Sequence, residues 1–145
     1  MDYLSFENNL ANYLRGIPCD IQKLKMDLRN FKQCTYTGYI FRGLAFKNPI
    51  DRNDIRNSEL CSWSKDLSVA ENFASHGKYQ YIVVKKSQGI CIQSLLDYLK
   101  DKNLIVSESL MRCTTKHEQE VIDDMYITNC SVMERIWEIR FFFFL

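Results

Sequence analysis

The sequence predicts an α+β fold in which an N-terminal helical lobe packs on a mixed or antiparallel β-sheet. Apolar residues recur at helical spacing through the first 33 residues. The segments that follow are mostly β-branched and aromatic, with two short helical patterns between them. At 145 residues the chain fits a single domain, so we expect residues 1–33 to form the helical lobe and residues 34–145 the core that carries a site.

Two helices are predicted in the lobe. The first covers residues 3–15, where Tyr3, Phe6, Leu10 and Leu14 recur on one face, and the Gly-Ile-Pro segment that follows ends it. The second presents one apolar face, which consists of Ile21, Leu24, Leu28 and Phe31.

The β-forming segments predict the sheet. The predicted strands cover residues 35–44, 60–64, 79–86, 89–92, 118–122 and 134–144. Two short helices lie between them, over residues 66–76 and 93–102. The first of these has Ser64 or Asp66 as its N-cap. Its inward face is predicted to consist of Val69, Ala70, Phe73 and Ala74. Residues 47–59 and 103–117 are predicted to be irregular.

Composition and charge exclude several classes of protein. The formal net charge of +1 gives no broad attraction to nucleic acid or to a membrane surface. The six cysteines contain no Cys-x-x-Cys pair and there are only two histidines, so no metal site is expected and the cysteines are predicted to be free thiols. Polar residues interrupt the first segment, so no signal peptide is predicted, and the terminal FFFFL is too short to span a bilayer. The expected location is cytoplasmic.

The first candidate for a functional residue is Arg42, in the apolar segment YIFRGLAF. A buried charge is costly unless it is paired, so this side chain either points to water or binds a partner. A guanidinium is a natural fork for a pyrophosphate, and Gly43 beside it would let a ligand approach the backbone closely. An exposed strand arginine is the plainer alternative.

The second candidate is the Ser62-Trp63-Ser64 tripeptide at the end of a predicted strand. Strand alternation places both serines on one face and Trp63 on the other. If Trp63 fills the core, the serines face a site. A strand end followed by a helix cap is the alternative.

The third candidate is the segment HEQEVI, residues 117–122. In a strand, Glu118 and Glu120 project from the same face, while Val121 and Ile122 anchor the segment in the core. Adjacent carboxylates repel each other unless a cation or a reaction uses them. A solvated acidic edge is the alternative, and His117 is expected to be a polar loop residue.

Taken in order, these segments resemble the motifs of mono-ADP-ribosyltransferases of the arginine-serine-glutamate class. The matching pieces are FRG, SWSKDLSVAENFA, GICIQSLL and EQEVI, and the resemblance covers roughly residues 36–140. It implies an ADP-ribosyltransferase-like fold with residues 34–145 as its NAD-binding catalytic core. It also implies an enzyme that cleaves the nicotinamide–ribose bond of NAD+ and passes ADP-ribose to an acceptor.

The resemblance also implies a role for each matched residue. Arg42 would hold the phosphates and the nicotinamide-side ribose of NAD+, and the Gly43 backbone would contact the nicotinamide amide. Ser62 would hold the ribose and Glu120, and Glu120 would stabilise the oxocarbenium-like transition state. Further NAD+ contacts are predicted from Ser64, Phe73, Lys78 and Tyr79, the last two in a loop that would close over the phosphates.

Glu118 is the residue that the resemblance assigns to acceptor choice. A carboxylate can orient a protonated guanidinium and take its proton as the new bond forms, so Glu118 favours a protein arginine as acceptor. The segment SESLMRCTTK, residues 107–116, would recognise that acceptor. Such a chain would act in the cell that makes it, as a phage-encoded modifier of host proteins would, or as an injected effector or toxin.

Three alternatives remain open at this point. A NAD glycohydrolase would use the same pocket with water as acceptor. A catalytically silent module of the same fold would bind a partner or a nucleotide without turnover. A nucleic-acid acceptor is less favoured, because the net charge is close to zero.

Overall fold

The structure is a computed structural model that describes residues 1–105, 107–111 and 118–136. Its α-helices are α1 (Tyr3–Leu14), α2 (Ile21–Leu28), α3 (Leu67–Ala74), α4 (Ile92–Asp101) and α5 (Glu108–Met111). Its strands are β1 (Tyr39–Phe46), β2 (Ser58–Ser64), β3 (Tyr79–Lys86), β4 (Ile90–Cys91), β5 (Glu120–Met125) and β6 (Ser131–Ile136). Short 3₁₀ segments occupy Arg29–Cys34, Arg52–Asp54 and Ile127–Asn129. The predicted α+β class is confirmed.

The N-terminal helices begin at acidic caps and bury one face each. Asp2 accepts a hydrogen bond from the Ser5 amide at the start of α1, and Asp20 accepts one from the Lys23 amide at the start of α2. Their buried side chains join those of α4 in one apolar core, which also includes Ile122 of β5. The helical lobe is therefore anchored to the strand that carries Glu120.

The six strands form one antiparallel sheet in the order β4-β5-β2-β1-β3-β6. β1 pairs with β3 along its whole length, but it pairs with β2 only at Phe41 and Ser64. The sheet thus consists of two three-stranded halves that share a single residue pair. Beyond that pair, β1 and β2 leave an opening between the halves.

A buried cluster and an ion network hold the two halves together. Trp63 is 3% exposed and shares an apolar core with residues from both halves. Beside it, the Lys85 ammonium of β3 lies 3.3 Å from the Asp123 carboxylate and 2.8 Å from the Asp124 carboxylate of β5. Burial lowers the pKa of Lys85, but the hydrogen bond to Asp124 and the charge of Asp123 outweigh it, and the pKa is raised.

Helix α3 lies directly against β1 at Gly43. A Cβ atom on Gly43 would stand 1.9 Å from the Ala70 carbonyl oxygen and 2.8 Å from the Ala74 amide nitrogen. Only glycine allows this approach. The contact also sets the rotation of α3, since Ala70 and Ala74 face the sheet. The prediction that Phe73 faces inward is wrong, because the side chain is turned off that contact and is 52% exposed.

Several predicted boundaries differ from the observed ones. Glu118 and Gln119 form a turn, and the strand begins at Glu120, so Glu118 does not share a strand face with Glu120 as predicted. The backbone of Gln119 has φ of 50°, which no strand residue adopts. The 103–117 segment contains the short helix α5, and the last strand begins at Ser131 rather than 134. Residues 137–144 of that predicted strand and most of the 107–116 segment lie outside the described residues, as does His117.

Two further sequence predictions concern thiols and membrane spans. The five cysteines in the described part of the chain are all free, as predicted. Among the described residues, no helix combines the length and the apolar character that crossing a bilayer requires.

We expect Gly43→Ala to lower the free energy of unfolding by about 3 kcal/mol or more, since the methyl group meets backbone atoms that cannot rotate away. Gly16→Ala is the matched control. Gly16 has φ of 70° and open space around it, so Gly16→Ala should lower the free energy of unfolding only through backbone strain, by about 1 kcal/mol. Urea denaturation of both variants measures the difference. Equal costs would contradict the close approach of α3.

We expect Lys85→Met to lower the free energy of unfolding by about 3 kcal/mol, because it leaves the Asp123 carboxylate buried without its cation. Adding Asp123→Asn should restore part of the loss, since the remaining group is then neutral. Lys86→Met, at the exposed neighbouring position, serves as control and should change stability little. If urea denaturation shows that Lys85→Met is no less stable than Lys86→Met, Lys85 does not bridge the two halves of the sheet.

Candidate active site

A pocket of about 270 Å³ lies where β1 and β2 separate. That volume is just below the range of small-molecule sites, about 300–1,000 Å³, so the pocket can enclose a small molecule or one part of a larger one. Three segments that are far apart in the sequence line it together with α3. The lining residues are Phe41, Arg42, Gly43, Ser62, Trp63, Ser64, Val69, Ala70, Phe73, Glu118 and Glu120.

Arg42 reaches across the opening from β1 to β2. Its Nη1 atom donates a 2.7 Å hydrogen bond to the Ser62 carbonyl oxygen, near the point where the strand ladder has ended. Its Nε atom is buried and has no hydrogen-bond partner among the residues that the structure describes. A buried donor without an acceptor is costly, and such exceptions call for an explanation. A ligand oxygen in the pocket would supply the missing acceptor.

Ser62 links three elements of the structure. Its backbone carbonyl accepts from Arg42, and its hydroxyl lies 3.1 Å from the Tyr13 hydroxyl of α1. Ser62 also acts on Glu120, because a hydrogen bond from its side chain lowers the pKa of that carboxyl group. Trp63 points the other way into the core, as strand alternation predicts. The side chain of Ser62 is therefore fixed between the helical lobe and the carboxylate.

Glu120 is a carboxylate in a largely desolvated position. Burial raises the pKa of Glu120, the hydrogen bond from Ser62 lowers it, and the nearby charge of Glu118 raises it again. The net direction is upward. This carboxyl group therefore takes up a proton at a higher pH than an exposed glutamate does.

Ser64 positions the turn that carries Glu118. Its hydroxyl donates a 2.5 Å hydrogen bond to the Glu118 carbonyl oxygen and accepts one of 3.0 Å from the Asp66 amide. Asp66 then caps α3 by accepting from the Ser68 amide. Of the two caps predicted, Asp66 is the one used, while Ser64 joins the turn to the helix start. The Glu118 side chain is exposed at the rim of the pocket.

The structure brings seven of the nine predicted site residues into this pocket: Arg42, Gly43, Ser62, Ser64, Phe73, Glu118 and Glu120. Lys78 and Tyr79 are not among the lining residues. The Lys78 ammonium lies 5.7 Å from the Tyr79 ring centre, and Tyr79 begins β3 opposite Phe46.

Sequence reasoning missed Tyr13. Helical spacing within α1 gives no sign of a polar contact 49 residues away. The one sequence signal is the hydroxyl group of Tyr13, which is a polar group on the last turn of an otherwise apolar helix face.

Comparisons of the chain with protein-family models, with curated proteins and with solved structures found no match. Within the described ranges, no group of three or more His, Cys, Asp and Glu side chains is placed to hold a metal ion. The case for a function therefore depends on the residues of the pocket and their chemistry.

The raised pKa of Glu120 predicts how stability depends on pH. Because the folded-state pKa lies above the unfolded one, the folded state binds more protons between the two, and stability falls as the pH rises through that window. Glu120→Gln removes this cost. We expect the variant to unfold at a higher temperature than the native chain at about pH 8, with the difference shrinking as the pH falls through the folded-state pKa and disappearing below the unfolded-state pKa of about 4.3.

Thermal unfolding measured across this pH range tests the expectation. Glu134→Gln makes the same chemical change at an exposed position of β6 and should show no such pH-dependent gain. A Glu120→Gln variant that is less stable than the native chain at high pH would contradict the desolvation of this carboxyl group.

Proposed function

We propose that the chain is a mono-ADP-ribosyltransferase of the arginine-serine-glutamate class, with an ADP-ribosyltransferase-like fold. In this proposal it cleaves the nicotinamide–ribose bond of NAD+ and transfers ADP-ribose to a protein side chain, favouring arginine. The observation that carries the proposal is the convergence of Arg42, Ser62 and Glu120 on one pocket. These residues belong to three separate motifs, and nothing in their local sequence requires them to meet.

The pocket has the chemical groups that a pyridine dinucleotide would use. The unpaired Nε of Arg42 offers a charge-assisted hydrogen bond to a phosphate or ribose oxygen. Val69, Ala70 and Phe73 give an apolar wall suited to a planar ring. The volume of about 270 Å³ accommodates the nicotinamide ribose part, with the rest of the dinucleotide extending past the exposed Phe73.

The proposed reaction breaks the bond between the ribose carbon and the nicotinamide nitrogen. The bonding electrons leave with neutral nicotinamide, so positive charge develops on the ribose. An ionised Glu120, held by Ser62, would stabilise that charge in a desolvated site where electrostatic effects are strong. The acceptor nitrogen then forms the new bond to the ribose carbon and loses its proton.

Glu118 is suited to handle the acceptor because it lies at the rim and is exposed. A guanidinium is protonated at neutral pH and is a poor nucleophile until a base takes its proton. The Glu118 carboxylate would orient the guanidinium and accept the proton released as the bond forms. The hydrogen bond from Ser64 to the Glu118 carbonyl keeps this turn at the pocket.

We expect the native chain to release nicotinamide from NAD+, and Glu120→Gln to reduce the rate by about 10²-fold or more, the scale of losing one preorganised electrostatic group. Nicotinamide release is measured by chromatography with no acceptor, with a small guanidinium compound, and with cell lysate. Glu118→Gln should lose transfer to the guanidinium while keeping slow release to water. Glu134→Gln, an exposed glutamate outside the pocket, is the matched control.

The other outcomes decide between the remaining functions. If neither the guanidinium compound nor the lysate accelerates nicotinamide release, a NAD glycohydrolase is favoured. If NAD+ neither binds nor reacts, the enzymatic proposal is wrong and a catalytically silent binding module takes its place. Mass spectrometry of the treated lysate would identify both the acceptor protein and the modified side chain.

A further inference from the structure

Tyr13 is the residue through which the N-terminal helical lobe meets the pocket. It lies in the last turn of α1, and its hydroxyl is 3.1 Å from the Ser62 hydroxyl. The phenol does not line the pocket itself. It stands behind Ser62, which lines the pocket together with Glu120 and lowers the pKa of that carboxyl group by hydrogen bonding. The three side chains form a chain of hydrogen bonds from the lobe to the carboxylate.

The direction of this chain is fixed by hydrogen-bond chemistry. An ionised carboxylate only accepts hydrogen bonds, so Ser62 must donate its single hydroxyl proton to Glu120. The Ser62 oxygen is then an acceptor toward Tyr13, and the phenol must be the donor. If Glu120 is protonated, this constraint disappears and the directions can reverse. A donating Tyr13 therefore favours the ionised form of Glu120.

We propose that Tyr13 is a positioning residue, whose phenol donates to Ser62 and thereby fixes Ser62 as a donor to the Glu120 carboxylate. The effect of this positioning role on catalysis rests on the function proposed above for Glu120. The lobe then contributes to the chemistry without contacting the substrate.

The charged groups around the chain agree with this role. Burial raises the pKa of Tyr13 to about 12, so the phenol keeps its proton and remains a donor at neutral pH. Among the described residues, the charges that act on Tyr13 are those of Cys61, Glu120 and Arg42, and the charge that acts on Glu120 is that of Glu118. Burial and the Glu118 charge both disfavour a negative charge at Glu120, and the hydrogen bond from Ser62 is what favours it. A Ser62 hydroxyl held as a donor therefore lowers the pKa of Glu120 against these two effects.

The test is Tyr13→Phe, which removes one oxygen atom and leaves the ring to pack. The first measurement is a carbon-13 NMR titration of the Glu120 side-chain carboxyl group, which needs no substrate. We expect its titration midpoint to move to higher pH in Tyr13→Phe. Tyr3→Phe makes the same change at the other end of α1, at a position that does not line the pocket, and should leave the midpoint in place.

The second measurement is the pH dependence of nicotinamide release. We expect Tyr13→Phe to lower kcat about threefold to tenfold on the acid side of the pH profile, the scale of one hydrogen bond, with the loss closing at higher pH and KM for NAD+ nearly unchanged. In the Ser62→Ala background, Tyr13→Phe should have no further effect on the Glu120 midpoint, because the Ser62 hydroxyl that links Tyr13 to Glu120 is already absent.

These measurements separate this inference from the proposed function. If Tyr13→Phe leaves the Glu120 midpoint unchanged, or shifts it equally with and without Ser62, the positioning role is overturned even when the chain cleaves NAD+. If the midpoint shifts as expected but NAD+ is not cleaved, the positioning role stands and the enzymatic proposal fails.

Discussion

The single residue pair between β1 and β2 is the constraint on which the site depends. Had the two strands paired along their length, backbone hydrogen bonds would have filled the space between them. Pairing ends instead at Phe41 and Ser64, and the two halves are held by other means, namely the Trp63 core and the Lys85 ion network. The unpaired backbone must still be satisfied, and Arg42 does so at the Ser62 carbonyl. The pocket is thus a gap in a sheet, stabilised by side chains on its walls.

Opposite the carboxylates, the wall of this gap is formed by helix α3. Gly43 allows α3 to lie against β1 with backbone in contact with backbone, which brings Val69 and Ala70 to the edge of the opening. The glycine beside Arg42 is thus explained by this approach of the helix. Its backbone still lines the pocket, so the same residue serves both the packing of α3 and the shape of the pocket. Asp66 and Ser64 then connect the start of that helix to the turn bearing Glu118.

Local patterns predicted what local forces determine. The bounds of β3, the position of α1 and the inward side of Trp63 follow from periodicity, and the structure agrees with each. Features set by contacts between distant segments could not be predicted in this way. The exposure of Phe73 depends on how α3 meets Gly43, and the turn at Glu118 depends on the left-handed backbone of Gln119. The contact between Tyr13 and Ser62 joins residues that neither motif nor spacing connects.

The site also shows a conflict between burial and charge. Removing water from around Glu120 would strengthen its effect on a developing cation, yet the same removal disfavours the ionised form that such an effect requires. Complete exposure would lose the first advantage, and complete burial would protonate the group. Hydrogen bonding resolves the conflict, because a donor stabilises the carboxylate without restoring water. That donor is Ser62, its orientation depends on Tyr13, and Tyr13 is held by a helix whose core includes Ile122, two residues beyond Glu120. The helical lobe and the carboxylate are therefore joined twice, through the apolar core and through the hydrogen-bond chain.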